Sequence, residues 1–134
     1  MVIFDSAKFV PIATFFLAGG IGTAARYLLS VGVHRICGEH FPWGILTVNL
    51  LGCFLFGVLF VLFEHRFSHD PSLKWIFLTG FLGAFTTFST FMFDTVHLLE
   101  QAKYIHACAN LLTHNILGIL MIFTGLAVGR YFCV

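Results

Sequence analysis

Uncharged apolar runs recur four times along the chain, separated by short polar connections. Trp43 to Phe63 and Trp75 to Phe93 contain no charged residue. Ala107 to Gly129 has His114 as its one candidate for charge, and Phe9 to Ala25 continues past Arg26 into the apolar stretch YLLSVGV. A helix needs roughly 20 mostly apolar residues to cross a hydrocarbon core of about 30 Å. The pattern therefore predicts an all-α membrane protein, a single transmembrane domain over residues 1–134 with helices at roughly 9–31, 43–63, 75–98 and 107–130. The first run reads as a transmembrane helix rather than a signal peptide. Its leading region carries Asp5 as well as Lys8, its apolar stretch exceeds a signal core, and further spans follow.

Composition points the same way. Hydrophobic residues make up 59% of the chain and charged residues only 10%, and the mean hydropathy is +0.97. A soluble domain is about a quarter charged, so this chain could not cover a water-facing surface. Its four cysteines, Cys37, Cys53, Cys108 and Cys133, show neither metal nor redox spacing. Nucleic acid is not among the expected partners; the lipid bilayer is.

Charge does not settle orientation. With four spans, Lys8, Arg66, Lys74 and Arg130 share one side. Arg35 and Lys103 lie on the other, joined by Arg26 if it snorkels that way, a balance of four against three. Two readings stand: a fixed orientation set by weak signals, or dual topology, in which inverted copies pair as an antiparallel two-fold dimer. Four short helices enclose little by themselves, so a pathway through this chain calls for a second copy. Small residues at helical spacing (Ala18 and Gly22, Gly80 and Ala84, Gly125 and Gly129) predict close helix packing.

Polar residues within apolar spans are costly and need partners. The densest set is GAFTTFSTF, residues 83–91, where Thr86, Thr87, Ser89 and Thr90 alternate with Phe85, Phe88 and Phe91 behind Gly80 and Gly83. Glycine and threonine lower helix propensity, so the third helix is expected to be broken near its middle, around Gly83 to Thr87. Such backbone is tolerated at membrane depth only where protein or a cavity surrounds it. A break frees carbonyls that suit a cation and amide N–H groups that suit an anion. Phe88 and Phe91, three apart, share a face, and phenyl edges carry partial positive charge. A small anion could rest against those edges beside hydroxyl donors; against this stands a plain phenylalanine stripe in a chain with 18 phenylalanines. Arg26 reads as a snorkelling arginine or as a fixed charge drawing anions to a vestibule. Asn49 reads as an interhelical hydrogen-bonding residue or as an amide donor at a water-filled mouth. His114 reads as a histidine satisfied by a neighbouring helix or as a proton relay.

Three blocks, GGIGTAARY (19–27), PWGILTVNLLGCFLFG (42–57) and GFLGAFTTFSTF (80–91), resemble the Fluc/CrcB family of fluoride channels. They fall in order in the first three spans, and the third is the most specific. The resemblance implies a dual-topology antiparallel homodimer exporting fluoride by passive electrodiffusion from a bacterial inner or plasma membrane, with relief of fluoride toxicity as its role and no enzymatic step. It matches the paired phenylalanines to Phe88 and Phe91, the vestibule asparagine to Asn49 and the first-block arginine to Arg26. It matches pathway hydroxyls to Thr87, Ser89 and Thr90. It also implies a structural sodium ion at the dimer centre, held by backbone carbonyls at Gly83 and Thr86. Span 4 departs from the family pattern. Asn110, Thr113 and Asn115 are loose substitutes for its tyrosine and spaced hydroxyls, and Tyr104 comes too early.

The rival reading is a small four-span proton-coupled multidrug exporter. It needs an ionisable residue within a span, and no carboxylate lies deep in any of them, leaving His114 as its candidate. Metal transport is suggested only by seven histidines, with His65 and His69 four apart in a charged loop. A purely structural bundle would leave Asn49 and the hydroxyl run unexplained.

Overall fold

In the computed structural model, residues 12–66 and 71–133 are described. Helix α1 spans Ile12–Cys37 and α2 spans Trp43–His65. The third span opens with α3, Pro71–Trp75, widens to a π-helical stretch over Ile76–Phe81, and tightens again in α4, Leu82–Phe85. After Thr86 and Thr87 it resumes as α5, Phe88–Glu100, and α6 runs over Tyr104–Cys133. Ile12–Cys37, Trp43–His65, Ser72–Glu100 and Tyr104–Cys133 are each long and apolar enough to cross a membrane. The chain is a multi-pass membrane protein.

The helices extend beyond the expected spans. The expected start of the first span at Phe9 lies outside the described residues, as do Lys8 and His69. Its end moves from residue 31 to Cys37, because Gly32 does not interrupt the winding. Gly38 does: at φ +81° it takes the left-handed conformation that closes a helix, and its N–H donates to the His34 carbonyl at 2.9 Å. Arg26 consequently sits eleven residues inside α1, roughly 16 Å from its end. The π-helical stretch was not foreseen. Its wider turn, closed by the Leu82 N–H on the Phe77 carbonyl, sets Gly80 against Ala18 and Phe15 of α1.

Helix α1 packs on α2, the π-helical stretch and α4, but not on α5 or α6. Helix α2 occupies the centre and makes its most extensive contact with α6, whose other neighbour is α5. The buried apolar cluster is Val48 and Phe63 of α2 with Leu78, Leu82 and Phe85 of the third span. Outward faces carry large apolar residues, among them Phe16, Leu28, Ile105, Leu112 and Phe123. That is the surface expected of a helix bundle in lipid.

Small residues set the spacing of the helices. A methyl group added at Gly57 would lie 2.5 Å from the Ile122 carbonyl, and one at Gly125 would overlap the Phe54 carbonyl. Helices α2 and α6 thus meet backbone to backbone, as small-residue membrane contacts allow. The other anticipated small pairs also pack: Gly22 meets the Phe81 carbonyl, Gly80 meets Ala18, and Ala84 lies by Gly19.

A Gly125→Leu change should therefore force α2 and α6 apart and cost about 2 kcal/mol. It should lower the temperature at which the detergent-solubilised protein loses its monodisperse gel-filtration peak. Gly32→Ala, where nothing lies within 4 Å of the added carbon and alanine is the better helix former, should not lower that temperature.

Candidate functional site

The backbone leaves helical geometry at two residues. Thr86 has φ −83° and ψ 160°, and Thr87 has φ −149° and ψ 122°, both extended. In an unbroken helix the Thr87 N–H would bond the Gly83 carbonyl. Here it donates to Asn49 Oδ1 of α2 at 2.9 Å, while Asn49 Nδ2 donates to the Thr87 carbonyl at 3.0 Å. One side-chain amide thus replaces the helix ladder at Thr87, leaving the Gly83 carbonyl without its usual donor. Asn49 therefore takes the interhelical reading of the two open to it, with one N–H beyond that pair. Gly52, one turn further along α2, makes the room required. A methyl there would collide with the Thr86 side-chain methyl.

Beyond the extended pair, Thr87 starts α5 as its N-cap. Its hydroxyl accepts the Thr90 N–H at 3.3 Å and lies 3.0 Å from Thr90 Oγ1 and 3.4 Å from Ser89 Oγ. The hydroxyl run read from the sequence is largely an internal cluster that begins a helix inside the bilayer. Thr86 Oγ1 bonds back to the Leu82 carbonyl at 3.0 Å and prolongs the end of α4.

Phe88 and Phe91 stand one turn on, with ring centroids 5.8 Å apart in an edge-on arrangement at 66°. Phe91 is buried and Phe88 is 72% exposed, so the pair runs from the interior to the open face of one copy. Both line a groove of about 440 Å³ that also takes in Asn49, Gly83, Thr86, Thr87 and His114. Of the expected site residues, the fold thus brings together Phe88, Phe91, Asn49, Thr87, Gly83 and Thr86. Ser89 and Thr90 do not line this groove. Neither does Arg26 of α1.

Helix α6 contributes more than its sequence suggested. His114 stacks on Phe91 with centroids 4.0 Å apart. Asn110, wholly buried, donates from Nδ2 to Thr95 Oγ1 at 2.9 Å. Thr113 and Asn115 bond back to their own helix at the Ala109 and Leu111 carbonyls. Tyr104 is merely the exposed first residue of α6. The clue to Asn110 was a polar residue one turn before His114; nothing local tied it to Thr95. A second cavity of about 740 Å³ opens near the α1 and α5 C-termini, lined by groups of both charges, including Arg35, Asp94, His97 and Lys103. Among the described residues, no three His, Cys, Asp or Glu side chains gather as a metal site.

Comparison with known proteins gives this groove a context. Residues 13–126 match the family described as CrcB-like protein, Camphor Resistance (CrcB). The chain is 49% identical over 114 residues to a fluoride-specific ion channel FluC of Solidesulfovibrio magneticus, covering 85% of this chain and 91% of the relative. It is 47% identical over 121 residues to a protein of the same description from Magnetococcus marinus, covering 90% and 98%. A third such relative, from Nitrosococcus oceani, is 45% identical over 114 residues, covering 85% and 91%. With the match spanning all four apolar helices, this chain belongs to the CrcB-like family.

Proposed function

We propose that this chain is a fluoride-specific ion channel of a bacterial inner or plasma membrane, passing fluoride out of the cell by passive electrodiffusion. The observation that carries the reading is the groove in which the Phe88–Phe91 edge pair faces the extended Thr86–Thr87 backbone held by Asn49. The relatives' description as fluoride-specific channels supports it. Fluoride holds water tightly, so a pore must offer several weak donors in place of that water. The ring edges and the free N–H of Asn49 are such donors. Thr87 offers its hydroxyl at the groove, and Ser89 and Thr90, whose hydroxyls lie 3.4 and 3.0 Å from it, back it from outside the lining. No bond is made or broken in this scheme, so no enzymatic step enters.

The finer assembly belongs to the same proposal. The groove opens on an outer face with Phe88 uncovered, and one copy does not close it. An antiparallel, dual-topology second copy would cover that face. Arg26, which does not line the groove of one copy, would in this pair serve as a fixed positive charge that draws anions towards the pathway.

The carbonyls of Gly83 and Thr86 suit a structural sodium ion at the centre of the pair. Gly83 has lost its amide donor to Asn49, Thr86 ends a helix, and oxygen donors suit a hard cation. Bound there, the ion supplies positive charge that offsets the repulsion between anions. The rival multidrug exporter is not favoured, because no carboxylate lines the groove.

Purified protein in liposomes should release fluoride down its gradient and retain chloride. Proton-driven drug exchange without fluoride release would overturn the reading. Phe88→Ile and Phe91→Ile should each cut fluoride efflux by about tenfold or more while the protein stays monodisperse. Asn49→Leu leaves both Thr87 backbone groups unpaired, so it should lower stability by about 2 kcal/mol and abolish efflux. Asn49→Asp keeps the acceptor for the Thr87 N–H and should fall between the two in thermal stability.

A further inference from the structure

Phe91 is held from two directions by one closed circuit. Its carbonyl accepts from Thr95 Oγ1 at 2.8 Å, and Thr95 Oγ1 accepts from Asn110 Nδ2 at 2.9 Å. One turn along α6, His114 Nδ1 lies 3.0 Å from the Asn110 carbonyl, and the imidazole returns to Phe91 by stacking on its ring at 28°. Phe91 also meets the Phe88 ring edge-on. The orientation of Phe91 towards the groove is thereby fixed by residues of α6.

The circuit also fixes the histidine tautomer. A carbonyl can only accept, so Nδ1 carries the hydrogen. A neutral imidazole then has a bare nitrogen at Nε2, and that atom is enclosed without a partner. An enclosed, unpaired polar atom is costly. A second proton can enter only there. It would set a cation against the face of Phe91, where the ring attracts it. The ring's electrons are then drawn towards the imidazolium, which leaves its outer edge more positive. In a site of low dielectric, that charge also favours an anion in the groove that His114 lines.

We propose that His114 is a positioning residue for Phe91 that ties anion occupancy of the groove to proton uptake at its own Nε2. The proposal rests on the reading of the groove as a fluoride pathway. Proton and anion each favour the other's binding, as linkage requires. Among the described titratable groups of the packed elements, Cys53 of α2 lines the same groove, Asp94 and His97 of α5 line the separate cavity, and His106 and Cys108 of α6 itself line neither. No lysine, arginine or carboxylate lines the groove.

The test is fluoride efflux from liposomes at a fixed, sub-saturating fluoride concentration, with leak through protein-free vesicles subtracted at each pH. The wild-type rate should rise about fivefold between about pH 7.5 and about pH 5.5. His114→Phe keeps a ring against Phe91 and His114→Gln keeps a polar side chain; in either, the rise should fall below about twofold. Asp94→Asn should keep the wild-type rise. A flat wild-type profile overturns the proposal even if neither variant folds, as does a rise that survives in His114→Phe or vanishes in Asp94→Asn. Flux that is present but indifferent to pH leaves the channel reading standing. Absence of fluoride flux at every pH removes both.

Discussion

The two hydrogen bonds between Asn49 and the Thr87 backbone are the constraint on which the site depends. Backbone polar groups inside a bilayer must find partners within the protein. A chain that abandons helical winding at Thr86 and Thr87 needs a donor and an acceptor from elsewhere at that depth. Asn49 supplies both from one side chain, at 3.0 and 2.9 Å. Without them the continuous helix, with Thr87 bonded to Gly83, would be the lower-energy course. With them, α5 starts afresh from its own N-cap, and the phenylalanines that follow take their direction from that new start.

Helix packing makes those two bonds reachable. Gly52 admits the Thr86 methyl, so the extended residues can lie directly on α2. On the other side of α2, Gly57 and Gly125 bring α6 into backbone contact. That approach carries His114 and Asn110 to the α5 residues Phe91 and Thr95. Small residues thus do more than tighten the bundle. They set the distance across which three separate spans contribute to one groove.

Span number, apolar character and the unusual stretch around residues 83–91 were legible along the chain, because each is local. Twenty uncharged residues mean a helix in lipid whatever surrounds them, and glycine and threonine weaken a helix wherever they fall. The small pairs were legible too, since each exposes backbone along one face. The site was legible in part. Asn49, Phe88 and Phe91 stand out by type and position, but the partner of Asn49 lies 38 residues away. The stacking of His114 on Phe91 depends on the register between α5 and α6, which is set by a tight turn through Ala102 at φ 57°. The π-helical winding of Ile76–Phe81 has no signal in a sequence of ordinary helix and membrane residues.

The sequence by itself determined a four-span membrane chain with polar chemistry concentrated in its third span, because hydrophobicity and propensity act residue by residue. Only the tertiary structure decided what that chemistry does. It made Thr87 a helix cap and Asn49 a backbone clamp, buried Phe91 against His114, and left Arg26 on a helix that never meets α5. Those roles follow from distances between spans, and such distances arise only when all the helices pack at once.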